Sequence, residues 1–407
     1  MDKIKRLQEE LEIFLPEKQI ASFSSTVKST TESGIPVYTN EFWTAKQRTA
    51  SSLHEISYRA CFKPLLPRFF IKRLTSQGDV VYDPFMGRGT AVLEGALLGR
   101  NVIGCDINPL SSVMLLPRLY PPKINEIADR LNELSLFYDG DIPESLLVFY
   151  HADTLRELLA LRQYLTSKKM QGTFDLYDAW IEMVMLSRLT GHSKGFFSVY
   201  TLPPNQAVSI PSQLKINKRL NQTPPYRDVK DIIYTKSKTL LKTLSFDEET
   251  FLYDYGKKAI LITGDCENTP QIKDNSVDLI VTSPPFLDTV DYKKDNWLRC
   301  TFAGIDMNTV NISIYKKPIE WRDKMTAVFS EFRRLLKKDA FIAFEVGEIR
   351  KGTLKMENLV LEAAEKCGLS PVMIVINSQT FTKTSKCWGV DNNKGGTNSN
   401  RIIILKN

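Results

Sequence analysis

Residues 79–106 constrain the fold of this 407-residue chain more than any other segment. A β-branched run ends at Asp83 and is followed by a glycine turn, good helix formers up to Gly99, and a second apolar run that ends at Asp106. This order of strand, turn, helix and strand is a βαβ unit, in which the two strands are parallel. The segment therefore predicts an α/β fold with a parallel sheet.

The same α/β pattern returns in the last third of the chain. Strand-like apolar runs occupy residues 259–265, 277–285, 340–347, 371–377 and 401–405, and helical patterns fit residues 321–337 and 354–367. Between the two parts the chain carries helical patterns and polar, proline-bearing sequence. We therefore expect one doubly wound, mostly parallel sheet that is interrupted by a large, mainly helical and loop insertion.

This pattern divides the chain into three regions. Residues 1–50 form an N-terminal helical and connector segment, residues 51–114 and 256–407 form the α/β domain, and residues 115–255 form the insertion. There is no run of 18 apolar residues and the charged N-terminus lacks the features of a secretory signal, so we expect a cytoplasmic protein without a membrane partner.

Charge and cysteine spacing limit the function classes. The formal net charge of +7 suits a polyanionic partner, although many proteins with such a charge bind no nucleic acid. None of the six cysteines forms a CxxC pair, and only three histidines are present. We therefore expect no metal site.

The glycine turn after the first strand is a candidate ligand site. Ligands of open α/β sheets bind beyond the carboxyl ends of the strands, and glycines such as Gly87 and Gly89 let the backbone approach a ligand closely. Asp106 ends the next strand, where a carboxylate can accept hydrogen bonds from ribose hydroxyls. The alternative is a tight turn that binds nothing.

Thr282-Ser283-Pro284-Pro285-Phe286 directly follows a buried strand pattern. An exocyclic amino nitrogen of a base is a poor nucleophile, because its lone pair is delocalised into the ring. Acceptors placed against both of its hydrogens favour a directed lone pair, and Ser283 Oγ and the Pro284 carbonyl can supply them. The two prolines fix the backbone, and Phe286 offers a flat face for an extruded base.

These segments together resemble the amino-methyltransferases of DNA. Residues 83–90, Asp-Pro-Phe-Met-Gly-Arg-Gly-Thr, are similar to the DPFxGxGT motif I of that family, residues 52–67 resemble motif X, and Gly264-Asp265-Cys266 resembles motif III. The resemblance implies a seven-stranded Rossmann-like methyltransferase sheet and S-adenosyl-L-methionine as cofactor. The cofactor-binding residues that it implies are Lys63, Pro64, Asp83, Pro84, Phe85, Gly87, Gly89, Thr90, Asp106, Asp265 and Cys266.

The same resemblance assigns the catalytic residues to Ser283, Pro284, Pro285 and Phe286. A leading serine is similar to the members that methylate N4 of cytosine. We therefore expect a site-specific double-stranded DNA methyltransferase that acts on a flipped-out cytosine by direct in-line transfer. The resemblance implies a place in a restriction–modification system, since such enzymes commonly protect host DNA from a companion endonuclease. The chain shows no PD…ExK pattern, so that endonuclease would be a separate protein.

Three other functions stay open from the sequence. They are N6-adenine methylation of DNA, N-methylation of RNA or protein, and a DNA-binding subunit with a decayed cofactor pocket. Methylation at C5 of cytosine is set aside. That chemistry needs a thiolate nucleophile, which the C5-methylating family presents directly after a proline, and no cysteine here follows a proline.

DNA contacts are expected from the insertion and from a Gly/Asn-rich loop near the C-terminal end. Segment 192–230 interleaves basic and amide side chains with aromatic residues such as Phe196 and Phe197, and segment 388–401 joins the last two strand patterns. The DNA-binding candidates are Lys194, Gln206, Lys215, Lys218, Arg219, Arg227, Trp388, Lys394 and Arg401. The alternative is that both segments are ordinary polar surface.

Overall fold

The computed structural model describes residues 3–15, 25–43, 50–58, 62–202, 207–285, 287, 292–310, 315–347, 354–378 and 399–407. These residues form the predicted α/β fold with a mostly parallel sheet. The strands are β1 (Val27–Thr30), β2 (Pro36–Asn40), β3 (Val80–Asp83), β4 (Asn101–Asp106), β5 (Ile260–Thr263), β6 (Val277–Thr282), β7 (Leu336–Val346), β8 (Ser370–Ser378) and β9 (Ser399–Lys406).

The sheet order is β1-β2-β8-β9-β7-β6-β3-β4-β5. Five of its eight strand pairs are parallel, and the antiparallel ones are β1 with β2, β8 with β9, and β7 with β9. The prediction of seven strands was wrong, because the described residues contain nine. The extra pair is the hairpin β1–β2, whose short strands carry too few apolar residues to be distinguished from a Ser/Thr-rich connector.

Helices cover both faces of the sheet, which is the doubly wound arrangement. They are α1 (Lys3–Glu12), α2 (Leu65–Leu74), α3 (Thr90–Leu97), α4 (Leu110–Leu119), α5 (Ile124–Glu133), α6 (Ala152–Met170), α7 (Leu176–Arg188), α8 (Ile210–Leu220), α9 (Val229–Leu240), α10 (Phe246–Asp254), α11 (Tyr292–Ala303), α12 (Pro318–Leu335) and α13 (Met356–Lys366). Alternation along β3 illustrates the two faces, since Val81 packs with α1 and α2 whereas Tyr82 packs with α12 and α13.

The insertion is helical and lies between β4 and β5 in the chain. Its helices α5, α6, α7 and α9 share one cluster of buried side chains with α3, α4 and Val102 of β4. Trp180 at the centre of α7 is fully buried and donates from Nε1 to Ser237 Oγ at 2.9 Å. The inserted segment is therefore packed against the sheet layer and held by a buried polar contact as well as by apolar burial.

The parallel strands bring several polar residues to one edge of the sheet. Asp83, Asp106 and Ser283 each end or directly follow a parallel strand, and these strands are neighbours in the sheet. The carboxyl ends of parallel strands meet at the same edge. The glycine turn and the Ser-Pro-Pro segment therefore lie side by side although about 200 residues separate them in the chain.

Candidate active site

A cleft of about 870 Å³, its open mouth included, lies at the carboxyl edge of the sheet. The residues that line it are Tyr58, Pro84, Phe85, Gly87, Asp106, Ile107, Asn108, Gly264, Asp265, Cys266, Ser283, Pro285, Tyr315, Lys324 and Met325. Gly87 of the glycine turn and Ser283 of the Ser-Pro-Pro segment thus open onto one cavity.

Asp83 connects the glycine turn to the strand end before Ser283 through hydrogen bonds to both. Its Oδ1 accepts hydrogen bonds from Thr282 Oγ at 2.7 Å and from the Phe85 backbone N–H at 3.1 Å. Its Oδ2 is buried without a hydrogen-bond partner among the described residues. Burial raises the pKa of Asp83 to about 7, against the opposing effect of the two hydrogen bonds. The carboxyl group therefore fixes the strand end before Ser283 relative to the glycine turn.

The glycine turn is shaped by two glycines with different tasks. Gly87 has a φ of +50°, and a Cβ built there would meet only the Phe85 carbonyl oxygen at 4.0 Å, so it would project into open space. Gly89 has a φ of +80°, and a Cβ there would lie 2.4 Å from the Leu115 side chain. Gly87 therefore leaves room in the cleft, whereas Gly89 allows close packing of the turn on α4.

Asp106 closes the turn on the β4 side. Its carboxylate accepts from the Gly87 backbone N–H at 2.8 Å and from the Asn108 backbone N–H at 2.9 Å. Burial raises its pKa, while the same hydrogen bonds lower it. Each carboxylate oxygen can accept more than one hydrogen bond. Asp106 thus holds the turn in shape and still faces the cleft as an acceptor.

Segment 50–58 is tied to the glycine turn by buried arginines. The Arg88 guanidinium is buried and donates to the carbonyl oxygens of His54 and Ile56, both at 3.3 Å. It also donates to Thr90 Oγ at 3.1 Å, so the Thr90 hydroxyl serves this contact inside the protein. The segment places Tyr58 in the wall of the cleft. Arg88, which the motif leaves variable, therefore has a structural task here.

At the β5 side of the cleft, Lys324 forms two ion pairs. Its Nζ lies 2.8 Å from Asp265 Oδ2 and 2.9 Å from Glu267 Oε1, and it reaches them from α12. Asp265 also caps its own turn by accepting from the Glu267 backbone N–H at 3.1 Å. Burial raises the pKa of the neighbouring Cys266 thiol well above its usual value, so this thiol lines the cleft as a neutral group.

The Ser283 hydroxyl is hydrogen-bonded to a buried carboxylate. Glu345 on β7 accepts from Ser283, and it accepts from Asn400 Nδ2 on β9 at 2.8 Å. Glu345 is buried and its pKa is raised by burial, against the effect of these two hydrogen bonds. Because a serine has one hydrogen, its donation to Glu345 leaves the oxygen lone pairs for another donor.

The second proline of the segment is fixed through its backbone. Trp321 of α12 is buried and its Nε1 donates to the Pro285 carbonyl oxygen at 3.0 Å. This bond adds to the restriction that two consecutive prolines impose on the chain. The Ser-Pro-Pro backbone is thus held from strand β6, through Thr282, and from helix α12.

Of the predicted cofactor-binding and catalytic residues, most line the cleft and the others do not. The predicted residues in the lining are Pro84, Phe85, Gly87, Asp106, Asp265, Cys266, Ser283 and Pro285. Those outside the lining are Lys63, Pro64, Asp83, Gly89, Thr90 and Pro284. Phe286 lies outside the described residues. Tyr315, Lys324 and Met325 were missed, since they come from α12 and the segment before it, where no motif marks them.

The DNA-binding candidates lie at different kinds of positions. Lys194 is exposed in the turn after α7, and Lys215, Lys218 and Arg219 are exposed on α8. Arg227 is half-buried, and its backbone exchanges hydrogen bonds with the Thr154 hydroxyl.

Other members of this set are engaged inside the protein or lie outside the described residues. Arg401 on β9 pairs with Glu357 Oε1 at 2.8 Å. Gln206, Trp388 and Lys394 are not among the described residues. Phe196 and Phe197 are buried, so the expectation that they interleave with surface cations was wrong, because an alternating polar–aromatic segment can equally fold its rings into the core.

The donor set of the cleft fits S-adenosyl-L-methionine. The open cradle above Gly87 gives room for a ligand against the backbone, and Asp106 and Asp265 offer acceptors at two separate points of the cavity. Apolar lining from Phe85, Ile107 and Met325 suits an adenine ring and the methylene groups of the methionine chain. Within the described part of the chain, no helix is long and apolar enough to cross a membrane.

Comparison with known proteins places part of the chain beside DNA-modifying enzymes. Residues 7–111 match the family model described as DNA methylase, N6_N4_Mtase. This segment contains the glycine turn and Asp106 and ends before Ser283. The chain is 28% identical over 290 residues to the type II methyltransferase M.BsoBI of Geobacillus stearothermophilus. The matched segment covers 63% of this chain and 53% of the relative.

Two shorter similarities involve proteins of Methanocaldococcus jannaschii. The type II methyltransferase M.MjaII is 35% identical over 97 residues, 23% of this chain and 18% of the relative. A tRNA (guanine(10)-N2)-dimethyltransferase is 29% identical over 102 residues, 21% of this chain and 29% of the relative. The chain thus spans at most about half the length of these curated relatives.

Among solved structures, a TehB-like SAM-dependent methyltransferase from Corynebacterium glutamicum is similar over 83% of this chain and 85% of its own. The identity is 10% and the TM-score is 0.29.

Proposed function

We propose that the chain is a DNA amino-methyltransferase that uses S-adenosyl-L-methionine as cofactor and methylates N4 of cytosine in double-stranded DNA at a specific site. The observation that carries the proposal is that Ser283 opens onto the same cleft as Gly87 and Asp106, with the preceding Thr282 bonded to Asp83 beneath the glycine turn. A companion endonuclease, as a separate protein of a restriction–modification system, is part of the same proposal.

The cofactor would be held at the glycine-turn side of the cleft. Gly87 leaves the space for it, Asp106 would accept from its ribose hydroxyls, and Asp265 would accept from its adenine amino group. When bound, S-adenosyl-L-methionine supplies a methyl group on a positively charged sulfur. Lys324 holds the carboxylate of Asp265 in place through its ion pair at 2.8 Å.

The amino group of the target base would lie at the other side of the cleft. Ser283 Oγ accepts one of its two hydrogens, and the Pro284 carbonyl accepts the other. Both acceptors are positioned in advance, since Glu345 orients the hydroxyl and Trp321 and Thr282 hold the backbone. Fixed acceptors favour a nitrogen whose lone pair is directed outward, at no cost of reorganisation during the reaction.

The amine must lose one proton when it gains a methyl group. Ser283 can receive that proton on Oγ while its own hydrogen passes to Glu345, so that the carboxyl group holds the proton. The raised pKa of Glu345 makes it a better proton acceptor than an exposed glutamate. The balance would therefore be one C–N bond formed and one sulfur–methyl bond broken, with the donor leaving as a neutral thioether, one N–H bond lost and its proton held by the protein.

The choice of cytosine N4 over adenine N6 rests on Ser283, because a serine at the start of this segment resembles the family members that methylate N4 of cytosine. The family model covers both types of target, so the two products are the two outcomes to compare. The similarity to a tRNA dimethyltransferase makes RNA the third substrate to include.

Expression in a bacterium that lacks other DNA methylation tests the proposal. Genomic DNA is sequenced for modified bases, and we expect N4-methylcytosine within one short sequence motif. Ser283→Ala should lower the rate about 100-fold or more, because one acceptor of the amine is lost. Glu345→Gln should lower the rate roughly 100-fold through loss of the proton acceptor.

Ser276→Ala is the matched control, since Ser276 lies outside the cleft lining and its hydroxyl donates to the Lys273 carbonyl. It should leave methylation unchanged. N6-methyladenine in place of N4-methylcytosine would overturn the choice of base, and unmodified DNA from a folded, expressed protein would overturn the proposal.

A further inference from the structure

Two cations of the insertion lie where its helices meet segment 50–58. Arg188 ends α7 and its guanidinium carbon is 4.2 Å from the centre of the Phe196 ring. Its Nε is buried without a hydrogen-bond partner. Lys236 lies on α9, which contacts both α7 and the short turn at Ser52–His54. We name Arg188 and Lys236 the cation pair.

The cation pair lacks a carboxylate partner. Within the described residues neither Arg188 nor Lys236 has an acidic oxygen within 4.0 Å, and Glu55 acts on both from a longer distance. Burial, and then the neighbouring Arg299, lower the pKa of Arg188 to about 10. Burial, and then Arg188, lower the pKa of Lys236 to about 8. Both groups are thus partly desolvated and repelled by other cations.

A third cation connects the pair to the cleft. Arg299 on α11 is buried, donates to the Ser57 carbonyl at 3.0 Å, and lies 5.7 Å from the centre of the Tyr58 ring. Tyr58 is part of the cleft wall. Positive charge therefore extends from the wall of the cleft, through Arg299, to the half-buried cation pair.

We propose that Arg188 and Lys236 bind a backbone phosphate of the nucleic-acid strand whose base enters the cleft. Partly buried cations without an acceptor are costly, and an anion at this point supplies the acceptor and offsets their repulsion. A guanidinium fixed by an aromatic ring is pre-oriented for charge-assisted hydrogen bonds to phosphate. Phosphate contacts of this kind set the register of the strand and carry no sequence information.

This inference rests on the proposed function, and its test reads binding rather than methylation. A short fluorescein-labelled DNA duplex is titrated with the wild type, Arg188→Gln, Lys236→Gln and the control Lys238→Gln over a series of salt concentrations. Lys238 is exposed on the same helix. Thermal melting of each variant shows whether it is folded. If Arg188→Gln does not fold, the salt dependence of Lys236→Gln alone tests the phosphate site.

Each variant of the pair should bind about tenfold more weakly than the wild type at low salt. The slope of log K against log salt should fall by about 0.9 for each lost phosphate contact. Lys238→Gln should keep the wild-type slope. A wild-type slope in a folded Lys236→Gln variant, or no binding of the duplex by the wild type, overturns the phosphate site.

The two proposals fail separately. Methylated DNA together with unchanged salt slopes would refute the phosphate site and leave the enzyme proposal standing. Reduced slopes together with unmethylated DNA would support the phosphate site and refute the enzyme proposal.

Discussion

Asp83 makes the stability of this protein depend on pH in an unusual direction. Its pKa is raised from 3.8 to about 7 by burial, so the native state holds a proton that the unfolded state releases at lower pH. The unfolded chain therefore binds fewer protons between these two values, and this group makes the free energy of unfolding fall as pH rises. Its contribution is fully present below about pH 4 and is lost as pH rises through about 7.

Asp83→Asn isolates this contribution. The amide keeps an acceptor for Thr282 Oγ and the Phe85 N–H and cannot ionise. Since one pKa unit corresponds to about 1.36 kcal/mol, the wild type should lose up to about 3 kcal/mol relative to the variant between about pH 5 and pH 7. Other buried carboxyl groups titrate in both proteins and cancel in the difference.

Urea unfolding of both proteins, without cofactor, at several pH values measures this difference. Asp139→Asn, at an exposed carboxylate, is the control and should follow the wild type at every pH. Parallel pH profiles for the wild type and Asp83→Asn would refute the reasoning. So would a wild type that gains stability relative to the variant as pH rises.

Two further predictions concern the walls of the cleft. Gly89→Ala should lower the free energy of unfolding by about 2–4 kcal/mol in urea titrations, since a Cβ would lie 2.4 Å from the Leu115 side chain at a φ of +80°. Adding Leu115→Ala to the same chain should recover part of this loss. Equal stability of Gly89→Ala and the wild type would contradict the close packing of the turn on α4. Lys324→Met should raise the KM for S-adenosyl-L-methionine about tenfold with little change in kcat in steady-state assays, because the ion pairs that fix Asp265 and Glu267 are lost. A fall in kcat with an unchanged KM would contradict that role.

The sequence predicted those parts of the fold that rest on apolar periodicity. Strands such as β4 and β6 are continuous apolar runs because both their faces are buried, and their ends were placed within a few residues. The hairpin β1–β2 was missed because all four residues of β1 are exposed, so burial imposes no pattern on it.

The candidate site was predictable only where a short motif carries the chemistry. Gly87, Asp106 and Ser283 follow strand ends, and strand order then brings them together. Glu345 and Lys324 were missed, because a carboxylate inside a strand and a lysine on an amphipathic helix have no local signal for their partners. Only the tertiary structure shows that one bonds to Ser283 and the other to Asp265.

The same limit applies to the cation pair. Segment 192–230 suggested exposed lysines for DNA, whereas Arg188 and Lys236 lie on helices whose other faces pack into the core of the insertion. Unpaired buried charge becomes visible only when burial and partners are known together.

The identity of the methylated atom tests the central claim most directly. Purified protein is incubated with duplex DNA and S-adenosyl-L-methionine that carries a trideuterated methyl group, and the DNA is digested to nucleosides for mass spectrometry. We predict that the label is found in N4-methyldeoxycytidine. Label in 5-methyldeoxycytidine, or DNA without label from protein that binds the cofactor, would contradict an amine held by Ser283 and the Pro284 carbonyl.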